Sequence, residues 1–151
     1  MTNLYNYILE SIMDVDDNID NVKPWADLKD VIKSMRSSKK FYEALNSLRN
    51  RIRSTAELAR PSGTRDTVTP KPKTLYIMFF GREDSNGNIV AGGVHVMDGK
   101  KTYSFSDYNG WIKIDTENVG VRRKSSSSSP WDIYFLPDDM VKDTKNILNK
   151  I

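Results

Sequence analysis

Cysteine is absent from this 151-residue sequence, and histidine occurs only once. Without cysteine the chain can form neither disulfides nor thiolate metal sites, and it offers no thiol nucleophile. Zinc prefers several nitrogen or sulfur ligands, so a single histidine supplies a transition-metal site poorly. We therefore expect no metal and no other cofactor.

Long apolar runs are lacking as well. No stretch of about 18 apolar residues occurs, so we expect no membrane span. The N-terminus has no basic region of the kind that opens a secretory signal. These absences favour a cytoplasmic protein. The hydrophobic share of 38% and the aromatic share of 10% are too high for a disordered chain.

The net charge of +3 is distributed unevenly along the chain. It divides into −5 over residues 1–30, +8 over residues 31–75 and zero over residues 76–151. The acidic start and the basic middle could pair within the molecule, or the basic middle could face an acidic partner. Both alternatives remain open at the level of sequence.

The first 60 residues have the periodicity of helices. Leu4, Ile8 and Ile12 recur every four residues, which predicts an amphipathic helix over residues 3–15. A second helix is predicted after Pro24, because proline suits the first helical position. The apolar face of that second helix comprises Trp25, Leu28, Val31, Ile32 and Met35.

A third helix, here called the basic helix, is predicted over residues 39–60, with Ser37 or Ser38 as its cap. Its apolar residues alternate spacings of four and three, which indicates packing against a neighbour. They begin with Phe41, Leu45, Leu48 and Ile52. On this register Arg49 and Arg53 should lie in solvent.

Residues 61–73 contain three prolines and are interpreted as a linker. Beyond it the period changes to two. Residues 75–80 are apolar on both faces, which predicts a strand in the interior of a sheet. The pairs Asn86-Gly87, Asp98-Gly99 and Asn109-Gly110 predict tight turns that join four strands into an antiparallel meander.

One or two further strands are predicted from residues 119–123 and 131–136. A C-terminal helix follows, with Asp138 or Asp139 as its cap. Its apolar face comprises Met140, Val141, Thr144, Ile147, Leu148 and Ile151. The expected fold is therefore α+β: helices over residues 1–60, a linker over 61–73, and an antiparallel sheet with a C-terminal helix over 74–151.

Three features could be mistaken for catalytic or metal sites. His95 lies inside a predicted strand and is interpreted as structural. The pair Gly92-Gly93 indicates a bulge or a close backbone approach. Residues 84–88 open like a calcium loop, but Ile89 and His95 stand where glycine and glutamate belong, so a hairpin turn is expected. No nucleophile, base and orienting group can be assembled, so we predict no catalytic residues and no enzyme.

Basic residues form the clearest candidate site. In the basic helix they are Lys39, Lys40, Arg49, Arg53 and Arg60, and a second cluster comprises Arg122, Arg123 and Lys124. On nucleic acid such side chains would contact phosphates and give salt-sensitive binding without sequence preference. The alternative interpretation is a solvated face, neutralised in part by the acidic residues 14–20.

The opening Leu4-Tyr5-Asn6-Tyr7-Ile8-Leu9-Glu10-Ser11 resembles the N-terminal segments that direct internal proteins into the proheads of T-even bacteriophages. In that family a protease cuts after a glutamate that has isoleucine or leucine two places before it. Ile8 and Glu10 match this pattern, with Ser11 after the cut. The resemblance covers about ten of the 151 residues. It implies a phage-encoded protein in the host cytoplasm or the virion interior.

The expected function is that of a non-enzymatic accessory protein that binds a macromolecular partner and is associated with a phage head. The alternative is a nucleic-acid-binding module that uses the basic helix. A remote alternative is an enzyme whose polar site residues are scattered through the sheet.

Overall fold

The computed structural model describes residues 26–60, 71, 73–99, 101–107, 110–115 and 132–150, with the backbone alone for 110–115. In chain order the elements are α1 (Leu28–Lys33), α2 (Ser38–Thr55), β1 (Leu58–Arg60), β2 (Leu75–Glu83), β3 (Ile89–Asp98), β4 (Lys101–Ser106), β5 (Gly110–Asp115), β6 (Ile133–Phe135) and α3 (Asp138–Asn149). The predicted α+β class is confirmed. The helix predicted over 3–15 and the strand predicted over 119–123 lie outside the described residues.

The six strands form one antiparallel sheet in the order β1-β6-β2-β3-β4-β5. Strands β2 to β5 are neighbours in chain order, which confirms the predicted meander. Strand β2 pairs with β3 on one side and with β6 on the other. The interior position predicted for residues 75–80 is therefore confirmed, and β6 lies within the strand predicted over 131–136.

All three helices contribute to a hydrophobic core on one face of the sheet. Strand residues at alternate positions point into this core, among them Ile77, Val94 and Phe105. From the helices, Leu45 and Leu148 contact the same cluster. The sheet is therefore covered on this face by helices, as an α+β architecture requires.

The opposite face of the sheet is also buried. Tyr76, Met78, Met97 and Ile133 form a second cluster there, to which none of the described helices contributes. Because both faces are apolar, the run from Leu75 to Phe79 is buried at every position. This explains why the sequence of β2 is continuously apolar instead of alternating.

Side-chain caps set where the first two helices begin. Helix α1 starts with a capping box, in which the Asp27 and Asp30 carboxylates each accept a hydrogen bond from the other's backbone N–H, at 3.0 and 2.9 Å. Helix α2 begins after Ser37, whose hydroxyl accepts from the Lys40 N–H at 3.5 Å. Ser37 is thus the cap, one of the two serines predicted for it.

Helix α2 ends at Thr55, so the prediction of a helix through residue 60 was wrong. The hydroxyls of Ser54 and Thr55 both donate to the Arg51 carbonyl oxygen, at 3.0 and 2.7 Å. Such bonds compete with the helical hydrogen bonds of the last turn. The next residue, Ala56, is extended, and β1 then pairs with β6 at the edge of the sheet.

A glycine pair lies where β2 and β3 leave the core. Gly81 faces Gly92 across the two strands, and both have positive φ angles, +132° and +149°. A Cβ on Gly92 would lie 2.0 Å from the Phe80 carbonyl oxygen. The backbones approach too closely here for any side chain, which is the close approach expected from Gly92-Gly93.

Helix α3 begins at Asp138, after Pro137. No side chain caps it, so the prediction that Asp138 or Asp139 is the cap was wrong. Both aspartates instead lie in the first turn, where negative charge favours the helix dipole. The apolar face is confirmed within the described residues, with Met140, Thr144, Ile147 and Leu148 buried.

Candidate functional site

Helix α2 carries most of the predicted site residues, and its sides differ in chemistry. The apolar side is fully buried, as predicted. It consists of Phe41, Leu45, Leu48 and Ile52. A second side, here called the polar seam, bonds to the sheet and the hairpin that joins β2 to β3. It consists of Ser38, Tyr42, Asn46, Arg49 and Arg53.

The N-terminal half of the polar seam fixes α2 to the ends of β3 and β4. The Asp107 carboxylate accepts hydrogen bonds from the hydroxyls of Ser38 and Tyr42, at 3.0 and 2.8 Å. The Tyr42 hydroxyl in turn accepts from the Gly92 N–H at 3.1 Å. Asn46 accepts from the Ile89 N–H at 2.8 Å and donates to the Ile89 carbonyl at 3.0 Å. These bonds hold the helix at a fixed register on the strands.

Arg49 is buried, with 2% of its surface exposed, so the prediction that it lies in solvent was wrong. Its guanidinium donates to Glu83 Oε1 at 2.8 Å and to the carbonyl oxygen of Gly87 in the hairpin turn. Burial lowers the pKa of Arg49, the nearby charge of Arg53 lowers it further, and Glu83 acts in the opposite direction. Arg49 therefore joins α2 to the hairpin through these two hydrogen bonds.

Arg53 lies in solvent in part, as predicted, with 43% of its side chain exposed. Its guanidinium is 3.9 Å from the Glu83 carboxylate. The charge of Arg53 also acts on the pKa of Tyr134, whose hydroxyl donates to Asp132 at 3.3 Å. Burial raises the pKa of Tyr134 above its ordinary value of 10.0, Asp132 raises it further, and Arg53 acts in the opposite direction.

Arg60 does not belong to the helix at all. It lies in the edge strand β1 opposite Ile133, and 5% of its surface is exposed. The prediction that Arg60 belongs to the basic helix was therefore wrong, because α2 ends five residues earlier, at Thr55. Neither Arg49 nor Arg60 presents its charge at the surface.

The remaining bases of α2 point in different directions. At about 100° per residue, Arg53 lies about 40° from Arg49, whereas Lys40 lies about 180° and Arg51 about 160° from it. Arg51 bonds to Asp139 of α3, with 2.9 Å between guanidinium and carboxylate. The basic helix therefore does not offer one continuous stripe of free charge.

Exposed positive charge is concentrated where α1 turns into α2. Residues 33–40 contain four bases and no acid. These bases, here called the basic turn, are Lys33, Arg36, Lys39 and Lys40. The last three are exposed, and Lys33 is half-buried. Of the four, Lys39 and Lys40 were predicted from sequence; Lys33 and Arg36 were missed, although the acid-free run of eight residues was the signal that could have found them.

Lys39 and Lys40 occupy an unfavourable place for cations. They lie in the first turn of α2, which contains no acidic residue. The positive end of the helix dipole disfavours cations there. Neither lysine forms an ion pair within the described ranges. Lys33, in contrast, lies in the last turn of α1, where the dipole favours a cation.

Two sets of predicted site residues fall on undescribed parts of the chain. Arg122, Arg123 and Lys124, predicted to bind nucleic acid, lie outside the described residues. The same holds for Ile8, Glu10 and Ser11, which carry the predicted targeting and cleavage pattern.

None of the aromatic side chains that the structure describes is exposed. Phe41, Tyr76, Phe79, Tyr103, Phe105 and Tyr134 are buried, and Tyr42, Phe80 and Phe135 are half-buried. Tyr42 is engaged by Asp107 and Gly92. The bases of α2 therefore have no exposed aromatic neighbour among the described side chains.

His95 packs against a neighbouring aromatic ring, and the Asp84 carboxylate forms hydrogen bonds within the hairpin turn. The His95 ring stacks on Phe80 with 4.3 Å between ring centroids, and 6% of the residue is exposed. The Asp84 carboxylate accepts from the backbone N–H groups of Asn86 and Asn88, at 2.9 and 3.0 Å, so residues 84–88 form the expected hairpin turn. The described residues contain no group of three potential metal ligands.

Comparison with known proteins gives no relative. The chain matches no protein-family model, no curated protein sequence and no solved structure. Among the described helices, none is long and apolar enough to cross a membrane.

Proposed function

We propose that this protein acts by binding a macromolecular partner through the basic turn, and that the partner presents acidic groups. The observation that carries the proposal is the position of Lys39 and Lys40. Both are exposed in the first turn of α2, without an acidic neighbour in that turn and without an ion pair in the described structure.

Stability alone does not account for these two lysines. An acid in the first turn of a helix stabilises it by about 0.3–1 kcal/mol, and a cation there has the opposite effect. Features that oppose local stability are expected at functional sites. Lys33 and Arg36 lie in the adjoining turn, so the basic turn gathers four positive charges over eight residues.

An acidic protein surface fits the basic turn better than nucleic acid does. Single-stranded nucleic acid is held by basic grooves combined with exposed aromatic side chains. None of the described aromatic side chains is exposed, and Arg49 and Arg60 are buried. Nucleic acid remains the second candidate, because four clustered bases can also contact phosphates.

The proposal is tested with the charge-reversed variant K39E/K40E. Full-length protein is titrated with fluorescent poly-glutamate and, separately, with a labelled DNA duplex at about 50 mM salt, where surface charges are weakly screened. We expect the variant to bind poly-glutamate at least about tenfold more weakly than the wild type. We also expect it to unfold at the same temperature or a higher one, since glutamate favours the N-terminus of α2.

The matched control is K101E/K142E, which makes the same change in net charge at two exposed lysines outside the basic turn. Its affinity should fall less than about threefold, through the overall field alone. Equal losses in the two variants would refute the basic turn as the binding surface. Tighter binding of DNA than of poly-glutamate would instead make nucleic acid the leading candidate.

We further propose that this binding serves a phage-encoded protein associated with the head, and that it involves no catalysis. The resemblance of residues 4–11 to prohead-targeting segments supports the first part. The stacking of His95 on Phe80 supports the second, because a buried, stacked imidazole is poorly placed as a general base.

A truncation that starts at Ser11 tests the targeting proposal. A cleavable address should be dispensable for folding, so the truncated protein should keep nearly the full-length unfolding midpoint. If residues 1–10 instead belong to the core, burial of Leu4 and Ile8 would contribute about 1.5–3 kcal/mol each. A loss of that size would refute the targeting role.

A further inference from the structure

We infer that Asn86 is a site of spontaneous deamidation, that Arg49 slows the reaction by holding the hairpin turn against α2, and that the product separates the two. The reaction requires no partner and is independent of the proposed binding. The sequence contains two Asn-Gly pairs, Asn86-Gly87 and Asn109-Gly110. Asn109 lies outside the described residues, whereas Asn86 is exposed in the hairpin turn between β2 and β3.

Deamidation at an Asn-Gly pair is a reaction within the chain. The backbone nitrogen of Gly87 attacks the side-chain carbonyl carbon of Asn86, and a carbon–nitrogen bond closes a cyclic succinimide. The bond from that carbon to the amide nitrogen breaks, and ammonia leaves with the proton of the Gly87 N–H. Water then opens the ring at either of its carbonyl carbons, which gives aspartate or isoaspartate. Glycine favours the first step because it has no side chain to obstruct the attack.

Hydrogen bonds of the hairpin turn oppose this attack in the folded protein. The Gly87 N–H donates to the Asp84 carbonyl oxygen at 3.0 Å. The N–H groups of Asn86 and Asn88 donate to the Asp84 carboxylate, at 2.9 and 3.0 Å. Ring closure must direct the Gly87 nitrogen towards the Asn86 side chain and remove its proton, so the bond from Gly87 to Asp84 has to break first. Deamidation of Asn86 therefore follows an opening of the turn.

The contact with α2 makes that opening costly. The buried Arg49 guanidinium donates to the Gly87 carbonyl oxygen and, at 2.8 Å, to Glu83 at the end of β2. Space does not restrain the turn in the same way, since no described atom lies within 4 Å of a Cβ added to Gly87. Local opening has a free energy of its own, which here includes the loss of charge-assisted hydrogen bonds. Arg49 therefore limits the rate at Asn86.

The product does not restore the contact. In isoaspartate the main chain runs through the side-chain methylene, so the backbone gains one carbon atom just before Gly87. The geometry of a hairpin depends on the length of its loop, and the additional atom therefore displaces the Gly87 carbonyl oxygen from the Arg49 guanidinium. Since the released ammonia is lost, the reaction converts a transient opening into a permanent separation of the hairpin turn from α2.

Peptide mapping by mass spectrometry measures the rate at Asn86 separately from the rate at Asn109. Full-length wild type, Arg49→Met and Arg53→Met are incubated side by side at slightly alkaline pH. Arg53→Met is the matched control, because Arg53 lies 3.9 Å from the same Glu83 carboxylate. We expect Arg49→Met to raise the rate at Asn86 at least about threefold, and Arg53→Met to change it less than about 1.5-fold.

A second control separates opening of the turn from global unfolding. Leu148→Ala removes part of the core in α3 and destabilises the whole fold. It should leave the rate at Asn86 unchanged in native buffer. Equal rates in Arg49→Met and wild type, or equal acceleration by Leu148→Ala, would overturn the role of Arg49. Absence of conversion at Asn86 in the folded proteins, while the chain in concentrated urea is converted, would overturn Asn86 as a modification site.

The effect of the product is measured on the modified protein itself. Ion exchange isolates it by its additional negative charge, and an isoaspartate methyltransferase identifies the isoaspartate. The modified protein should unfold at a lower urea concentration than the unmodified protein. In the Arg49→Met background the same modification should shift the midpoint much less, because the bond that it breaks is already absent. Equal shifts in the two backgrounds would overturn the inferred separation of the hairpin turn from Arg49.

Discussion

The burial of Arg49 leads to a quantitative prediction for the substitution Arg49→Met. Methionine preserves the apolar length of the side chain and removes the guanidinium, so packing along the stem is largely kept. What is lost is the bond to the Gly87 carbonyl and the ion pair with Glu83. Both join α2 to the hairpin between β2 and β3.

The magnitude follows from the two partners. A hydrogen bond from a charged donor contributes about 1.5–3 kcal/mol. The Glu83 side chain is 32% exposed and can be hydrated without Arg49, so we assign the ion pair only about 0.5–1 kcal/mol. Methionine also avoids the cost of burying a charge, which offsets part of this sum. We expect a net loss of about 2–3 kcal/mol.

Urea unfolding at neutral pH measures this loss, with the midpoint shifted and the slope unchanged. Arg53→Met is the matched control. Arg53 is one helical turn away and 43% exposed, and its guanidinium lies 3.9 Å from the same carboxylate, so its loss should cost less than about 1 kcal/mol. If Arg49→Met is no more destabilising than Arg53→Met, the bonds of Arg49 to the hairpin do not stabilise the fold as argued. Double-mutant cycles with Glu83→Gln should give a larger coupling energy between Glu83 and Arg49 than between Glu83 and Arg53.

Two further predictions concern the sheet. Gly92→Ala should destabilise the protein by more than about 2 kcal/mol in urea unfolding, because the φ of +149° is strained for alanine and its Cβ would overlap the facing backbone. Gly87→Ala is the control, because Gly87 has a φ of +81° but no atom lies within 4 Å of the added Cβ. It should reduce the free energy of unfolding by only about 1 kcal/mol. Equal losses for Gly87→Ala and Gly92→Ala would contradict the close approach of the two backbones at Gly92. The raised pKa of Tyr134 means that the folded state favours the protonated hydroxyl. The free energy of unfolding should therefore fall as pH rises above 10.0, the ordinary pKa of tyrosine. Tyr134→Phe should reduce that fall, measured by unfolding between about pH 8 and 11.

Hydrophobic periodicity was sufficient to predict most of the fold. The four-three spacing of Phe41, Leu45, Leu48 and Ile52 identified the buried side of α2, and all four are fully buried. The apolar run of residues 75–80 predicted an interior strand, because only a strand covered on both faces is apolar at successive positions. These predictions succeed because burial of apolar area is the largest favourable term in folding.

The ends of elements were harder to predict, because they depend on local hydrogen bonds. The apolar positions of α2 continue in pattern to Ala59, yet the helix stops at Thr55. Ser54 and Thr55 bond back to the Arg51 carbonyl, and β6 offers an edge to the residues that follow. Strand β6 is about 75 residues away in sequence, so no local pattern could reveal that partner.

The burial of Arg49 could not be predicted from α2 for a related reason. Its partners come from the hairpin between β2 and β3, Glu83 and the Gly87 carbonyl, more than 30 residues away. On the helix alone, Arg49 and Arg53 are equivalent polar positions one turn apart. Which of them is buried depends on where the hairpin lies.

The chemistry of arginine and lysine explains why the two kinds of base are used differently in α2. Arginine has a rigid fork of donors that can bond two acceptors at once, whereas lysine is a strongly hydrated point charge. Arg49 and Arg51 accordingly bridge α2 to other elements, to the hairpin and to α3. Lys39 and Lys40 form no ion pair in the described structure and remain hydrated at the surface. Counting all these bases together gave a basic helix. After Arg49 and Arg51 are set aside, Lys39 and Lys40 are the exposed bases of α2 on which the proposed binding depends.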